Sequence, residues 1–372
     1  MKKIFLAILS CATILSSCAK IEILGRKIYE PQEITFGLVD KASTKAFVDD
    51  TKLAANTHFG VYGYVKETAG VTDGGYIMRN ADYYVDEVVT DPTTSAQKSH
   101  AISDTKYYWP KADNNNDLNV KFVAYYPYDY PHYDDLPNSP DVNTLVFDVT
   151  ANAIDGTTDD ILWAVANNVK PTLASVQNQL DENNDVDITF HHALAWIQFQ
   201  GRVSSEVKSV KFTSIQFSNS LNTTGKLSIG LTDNTVTPAW SDKSGSLNQF
   251  VSPTTLTPDD EYSVLSNTLV IPQTIPTNVT ITFDITIQNT DATGFDETIE
   301  YKGRTVTRTI KSGADDNNKS YDATLFEASH KYIYRVFVTA DDVEFTASVD
   351  GWTTNWWQIW DHDTTEAQTN VF

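Results

Sequence analysis

The stretch VTITFDITI at residues 279–287 alternates strictly between apolar and polar side chains. Its apolar residues lie two positions apart, which places them on one face of an extended chain. They are Val279, Ile281, Phe283, Ile285 and Ile287. A period of two is typical of a half-buried antiparallel strand, with one face in a core and the other toward solvent. The stretch therefore predicts β-structure in this part of the chain.

The same alternation recurs on both sides of this stretch. It appears later in KYIYRVFV at 331–338 and in VEFTASV at 343–349. Segments rich in Pro, Asn and Asp, which favour turns, separate the candidate strands. Only PTLASVQNQLDENN at 171–184 favours a short helix. Many short strands joined by long polar loops predict an all-β fold of β-sandwiches. In the first half, strands are predicted near 33–39, 57–65, 106–109, 119–126, 143–149 and 161–166.

A change of composition at DENNDVD, residues 181–187, marks the best candidate for a domain boundary. A new predicted strand, ITFHHALAWIQFQ, follows it directly. The chain has 372 residues, of which 41% are hydrophobic and 12% aromatic, enough to fill two cores. The sequence therefore predicts an N-terminal β-sandwich domain at 33–180 and a C-terminal one at 181–372.

The first residues have the pattern of an export signal. Met1, Lys2 and Lys3 precede an apolar run, which ends in Leu-Ser-Ser before Cys18. This ending resembles the bacterial lipobox, so we expect a lipoprotein signal peptide at 1–17 and a lipidated tether at 18–32. Cys11 is the alternative acylation site, and cleavage elsewhere is a second alternative. Several acyl chains would anchor the protein stably to outer-membrane lipid.

The charge of the chain restricts its partners. The formal net charge is −22 at pH 7. Such a surface repels nucleic acid. It also repels the anionic headgroups of lipids, so no contact with the membrane is expected apart from the tether. We therefore expect no nucleic-acid partner.

The residues that carry chemistry in other proteins do not form a recognisable site here. His191 and His192 are adjacent in a predicted strand, so they point to opposite faces and cannot share a metal. The sequence lacks an HExxH, a GxSxG, a P-loop and a GxGxxG motif. The alternating Asp and Asn residues at 181–187 could place several oxygens around calcium, so calcium binding stays an alternative. A glycoside hydrolase needs two carboxylates in a cleft, and no spacing in this sequence identifies such a pair. No catalytic residue, metal ligand or cofactor is predicted.

Four blocks of the chain follow the lipobox in a recognisable order. They are VKFVAYYPYD at 120–129, TTDDILWA at 157–164, VDITFHHALAWIQF at 186–199 and SHKYIYRVFVTADDVEFTASVDGW at 329–352. In this joint order they resemble the recurring blocks of the fimbrillin lipoproteins of Bacteroidetes, the Mfa-like and FimA-type subunits. The resemblance implies two tandem transthyretin-like β-sandwich domains, localisation at the outer membrane and cell surface, and assembly into fimbriae for adhesion and biofilm formation.

The resemblance also implies a mechanism of assembly. An extracellular protease cuts behind the first strand, that strand leaves, and a strand of another fimbrial subunit fills the vacated groove. Here the first strand would be EITFGLV at 33–39, with Ile34, Phe36 and Leu38 filling the groove. The loop behind it has Lys45 where the family usually places arginine. Arg26 is the other candidate, although a cut there would leave the first strand in place.

The last residues could supply the donor strand. The candidate groove-filling residues are Trp357, Ile359 and Phe372. A final strand of the C-terminal sandwich explains the same segment equally well. The tryptophans at 352–360 could instead stack on sugar rings of a host or bacterial surface ligand. The alternative is therefore a surface lipoprotein that does not polymerise, either a fimbrial anchor or a glycan-binding β-sandwich protein.

Overall fold

A computed structural model describes most of the chain after residue 30. Every element whose bounds are described is a β-strand, which confirms the all-β prediction. Of the segment 171–184, where the sequence favours a helix, Pro171 is helical and residues 172–184 lie outside the described part. The described residues are 31–39, 53–65, 75–90, 97–111, 118–128, 144–151, 160–171, 185–231, 236–250, 253–290, 296–310 and 324–351.

Nine strands precede residue 193, and eight of them form one sheet. The nine strands are β1 (Phe36–Val39), β2 (His58–Val65), β3 (Tyr76–Thr90), β4 (Gln97–Ile102), β5 (Val120–Tyr126), β6 (Thr144–Thr150), β7 (Leu162–Val169), β8 (Val186–Ile188) and β9 (His191–His192).

The order in the eight-stranded sheet is β8-β1-β4-β3-β2-β5-β7-β9. The two terminal strands of this order, β8 and β9, are joined in the chain by Thr189 and Phe190 alone. Because so short a link spans at most about 10 Å, the two ends of the sheet must lie close together. The sheet is therefore rolled, and β1 is an inner strand with a neighbour on each side.

Thirteen strands follow in the rest of the chain. They are β10 (Ala195–Val203), β11 (Val207–Leu221), β12 (Thr224–Gly230), β13 (Ala239–Ser244), β14 (Leu247–Gln249), β15 (Thr254–Leu256), β16 (Ser263–Val270), β17 (Gln273–Thr274), β18 (Asn278–Thr290), β19 (Asp296–Thr309), β20 (Leu325–Phe326), β21 (His330–Val338) and β22 (Val343–Gly351).

These strands form four further sheets, one of which includes β6. A four-stranded sheet has the order β16-β10-β21-β22, in which β10 and β21 are parallel. A second sheet has the order β14-β11-β18-β19, and β15 also pairs with β11. A three-stranded sheet, β13-β12-β6, joins a strand from before residue 181 to two from after it. The short strands β17 and β20 pair with each other.

The buried side chains form three hydrophobic cores. The first core lies inside the rolled eight-stranded sheet and includes Phe36, Phe59 and Phe122. The second lies between the four-stranded sheet and the sheet of β11, β18 and β19, where alternate residues of both are buried. The third, which we call the junction core, combines residues from both sides of residue 181, among them Phe147 and Leu227.

The structure confirms the strands predicted at 279–287, 331–338 and 343–349, which lie in β18, β21 and β22. At 106–109 it shows only an isolated bridge between Glu33 and Tyr108. The predicted strand at 188–200 is interrupted by a bend at Ala193 and Leu194, so its beginning pairs with the eight-stranded sheet. The division into two domains and the transthyretin-like arrangement stay predictions.

Candidate functional site

The groove that holds β1 is the candidate site, and we call it the first-strand groove. On one side β1 pairs antiparallel with β4, and Phe36 lies opposite Ala101. On the other side it pairs parallel with β8, and Phe36 lies opposite Val186. Because β1 is paired on both sides, it covers the backbone edges of both β4 and β8. Without β1 these two edges would be unpaired.

Alternate side chains of the first segment point into the core, as the sequence indicates. Ile34, Phe36 and Leu38 are 1%, 0% and 7% exposed. The ring of Phe36 meets two aromatic rings edge-on, with centroids 4.8 Å from Tyr83 and 5.3 Å from Phe122. Edge-to-face packing adds about 0.5–1.5 kcal/mol per pair to the burial of the ring. The three predicted groove-filling residues are therefore buried in one core, and their part in assembly stays a prediction.

Backbone hydrogen bonds extend the site beyond the strand itself. The amide of Ile34 donates to the carbonyl of Tyr107 at 2.8 Å, and the amide of Trp109 donates to Gln32 at 3.0 Å. The hydroxyl of Tyr83 donates to the carbonyl of Ile34 at 3.0 Å. Burial raises the pKa of the Tyr83 phenol, so this donor keeps its proton. The segment before β1 is thus also held by hydrogen bonds.

A buried carboxylate lies at the edge of the groove, and the sequence singles it out only within the alternating residues at 181–187 that leave calcium binding open. Asp185 is 1% exposed and accepts a hydrogen bond from the Thr35 hydroxyl. Its other carboxylate oxygen lies 2.7 Å from Nδ1 of His100 on β4. The three residues are far apart in sequence, so no local pattern reveals the cluster.

An exposed ion pair lies at the entrance to the groove. Lys106 Nζ is 2.6 Å from Oε2 of Glu33. The hydrogen bond from Lys106 to Glu33 raises the pKa of the lysine. Because the lysine is exposed to solvent, this pair is a minor part of the site.

The remaining predicted site residues lie outside the described part of the chain. They are the acylation site Cys18, the processing candidates Arg26 and Lys45, and the donor-strand candidates Trp357, Ile359 and Phe372. Their roles stay predictions.

The adjacent histidines have separate surroundings. The ring of His191 packs on Trp163 with centroids 4.9 Å apart. His192 is buried and its Nδ1 pairs with the carboxylate of Asp160. A search of the described residues finds no group of three His, Cys, Asp or Glu placed to hold a metal. In the same residues no helix has the length and apolarity that a bilayer crossing needs.

Together these features define an all-β protein whose first strand is an inner, doubly paired and deeply buried part of its sheet. The family model described as fimbrillin-like matches residues 44–352. The chain therefore belongs to the fimbrillin-like family, a family of structural subunits of fimbriae. A comparison with curated proteins gave no match.

Several solved structures are similar to the chain. A candidate cell adhesion protein from Bacteroides ovatus has 15% identity and a TM-score of 0.45, with 88% of this chain and 100% of that chain covered. A fimbrial protein from Bacteroides vulgatus has 16% identity and a TM-score of 0.43, with coverage of 87% and 100%. The tip fimbrial protein Mfa3 from Porphyromonas gingivalis has 11% identity and a TM-score of 0.40, with coverage of 86% and 100%. The family assignment rests on the family match and not on these scores.

Proposed function

We propose that the chain is a structural subunit of a cell-surface fimbria that polymerises by donor-strand exchange after a protease removes its first strand. It reaches the outer membrane as a lipoprotein acylated at Cys18 and serves adhesion and biofilm formation. Its role is mechanical and not catalytic. The observation that carries the proposal is the double pairing of β1 between β4 and β8.

Loss of β1 would leave a groove that favours the binding of a new strand. The edges of β4 and β8 would present unpaired backbone groups, which another chain can pair by β-augmentation. The pocket of Phe36 would also be empty, and loss of a buried Phe side chain costs about 3–5 kcal/mol. A donor strand that restores both sets of contacts therefore binds without any outside source of energy.

The donor would come from the end of the neighbouring subunit, where Trp357, Ile359 and Phe372 are the candidate side chains. Donor and acceptor surfaces then differ, so the contact is heterologous and propagates as an open filament. Partners at the surface would be other fimbrial subunits, the processing protease and a host or bacterial ligand.

The first test is the N-terminal sequence and intact mass of protein sheared from cells, before and after treatment with a lysine-specific protease. We expect a new start at Ala46 and heat-resistant oligomers. In protein sheared from cells without added protease, Lys45→Ala should abolish both, whereas Arg26→Ala should not. A chain that stays full-length, acylated and monomeric would contradict polymerisation and favour the anchor or glycan-binding alternative.

A disulfide between β1 and β4 tests whether β1 must leave the groove after the protease has cut the chain. Leu38 and Ser99 are partners across β1 and β4. The Cα atoms of antiparallel partners lie about 4.5–5.5 Å apart, within the range that a disulfide spans. The variant Leu38→Cys/Ser99→Cys should be cut at Lys45 but form oligomers only after reduction. The single cysteine variants are the controls, and oligomers in the oxidised double variant would argue against exit of β1.

A further inference from the structure

The carboxylate of Asp185 contacts both the occupant and the wall of the first-strand groove. One oxygen accepts a hydrogen bond from the hydroxyl of Thr35, which belongs to the segment in the groove. The other lies 2.7 Å from His100 on β4, which belongs to the wall. The next residue, Val186, donates its backbone amide to the carbonyl of Thr35 at 2.9 Å. The occupant is therefore held at Thr35 through its side chain and its backbone.

This contact differs in kind from the contacts that the apolar side chains of the occupant make. Ile34, Phe36 and Leu38 lie in an apolar core, where another apolar side chain of similar volume is accepted at modest cost. A hydrogen bond to a carboxylate is directional, and burial makes the loss of its donor costly. Sites built around such a bond discriminate strongly against ligands that lack it.

We propose that Asp185 is the selection point of the first-strand groove. An occupying strand must carry a side-chain hydrogen-bond donor at the position of Thr35, between two apolar residues. In β1 this donor is the threonine hydroxyl, and in the candidate donor strand it would be the side-chain amide of Gln358, between Trp357 and Ile359. For the strand that replaces β1 this inference rests on the proposed function; for β1 itself it rests on the contact alone.

The same contact fixes the register of the occupant. Side chains of a strand alternate between faces, so a slip of one residue moves each to the opposite face. The slipped strand would place an apolar side chain against Asp185 and a hydroxyl in the pocket of Phe36. A strand with a side-chain hydrogen-bond donor between two apolar residues therefore has a single favourable register.

The first test compares Thr35→Val with Thr35→Ser in the intact chain. Valine has almost the shape of threonine without the hydroxyl, whereas serine keeps the hydroxyl. Hydrogen exchange of the β1 amides, followed by mass spectrometry of peptides, reports the opening of this strand. We expect opening about 10- to 100-fold more frequent in Thr35→Val than in Thr35→Ser, the range for loss of a hydrogen bond to a charged group. Equal exchange in the two variants would overturn the inference.

A second test uses the wild-type fold, so it does not depend on whether the variants fold. The intact chain is cut at Lys45, and a labelled peptide of residues 31–40 competes for the groove. The unchanged peptide and its Thr35→Ser form should displace β1 at least about 10-fold more effectively than the Thr35→Val form. Equal displacement by all three would overturn the selection role.

The two proposals fail in different ways. If the cut protein never forms oligomers, the proposed function fails, yet the exchange comparison in the intact chain still decides the role of Asp185. If oligomers form but Thr35→Val and Thr35→Ser exchange alike, the selection role fails and the proposed function stands.

Discussion

The ring of Phe36 is fully buried in the first-strand groove, where it contacts three aromatic residues. Phe36→Ala should lower the free energy of unfolding by about 3–5 kcal/mol through lost burial and a cavity. Urea denaturation measures the change. Tyr301→Ala is the control, since this aromatic residue is 45% exposed, and we expect a loss below about 1 kcal/mol. Similar losses at both sites would contradict the burial of Phe36.

Buried phenols make the fold sensitive to alkali. Burial raises the pKa of Tyr334 above its usual value near 10, and it raises that of Tyr332 to about 12. A tyrosine in the unfolded chain loses its proton near pH 10, whereas a buried one keeps it. The buried phenols therefore make their full contribution to the free energy of unfolding below pH 10, and this contribution falls as the pH rises further.

The variant Tyr334→Phe removes one of these ionisable hydroxyl groups. Between pH 10 and pH 11 its stability should fall less steeply than that of the wild type, by about 1 kcal/mol over the interval. Urea denaturation at each pH measures this slope. Tyr301→Phe is the exposed control, and a Tyr334→Phe slope equal to that of the wild type would be evidence against a protonated, buried phenol.

At the scale of the strand, β2 depends on a residue without a side chain. An added Cβ at Gly60 would lie 2.1 Å from the Tyr125 ring on β5. Gly60→Ala should therefore lower the free energy of unfolding by about 1–3 kcal/mol through overpacking. Gly75→Ala is the matched control, because no atom lies within 4 Å of its added Cβ. Thermal unfolding of the two variants gives the comparison, and an unchanged midpoint for Gly60→Ala would show that the ring moves aside freely.

The strands also show how far the sequence predicts this fold. In β18 a strict alternation matches the buried face, so the pattern suffices. In β3 the buried residues Met78 and Ala81 are out of phase, because Asn80 between them has a φ of +47° and the register shifts there. A period of two cannot reveal a strand whose phase changes within it. The Thr35–Asp185 contact joins residues 150 positions apart, so it depends on the topology and not on local pattern.

At the scale of the molecule, the junction core connects the parts before and after residue 181. Phe147 on β6 is fully buried, lies opposite Leu227 on β12 and packs on Tyr125 with centroids 5.1 Å apart. Phe147→Ala should raise hydrogen exchange in both β5 and β12, since both border the cavity it leaves. Val146→Ala on the exposed face of the same strand is the control. Faster exchange in β12 alone would indicate that the two parts are independent.

The parallel pairing of β10 and β21 determines how the molecule responds to tension. Trp196 lies opposite Lys331 and Val203 opposite Val338, so the two strands run in the same direction. A pull on β10 through the residues before it, and on β21 through those after it, acts at opposite ends of the pair. The hydrogen bonds between the strands are then loaded in shear and must break together, whereas an antiparallel pair pulled from one end opens bond by bond. In a fimbria dragged by flow, this pair would therefore resist rupture as one unit.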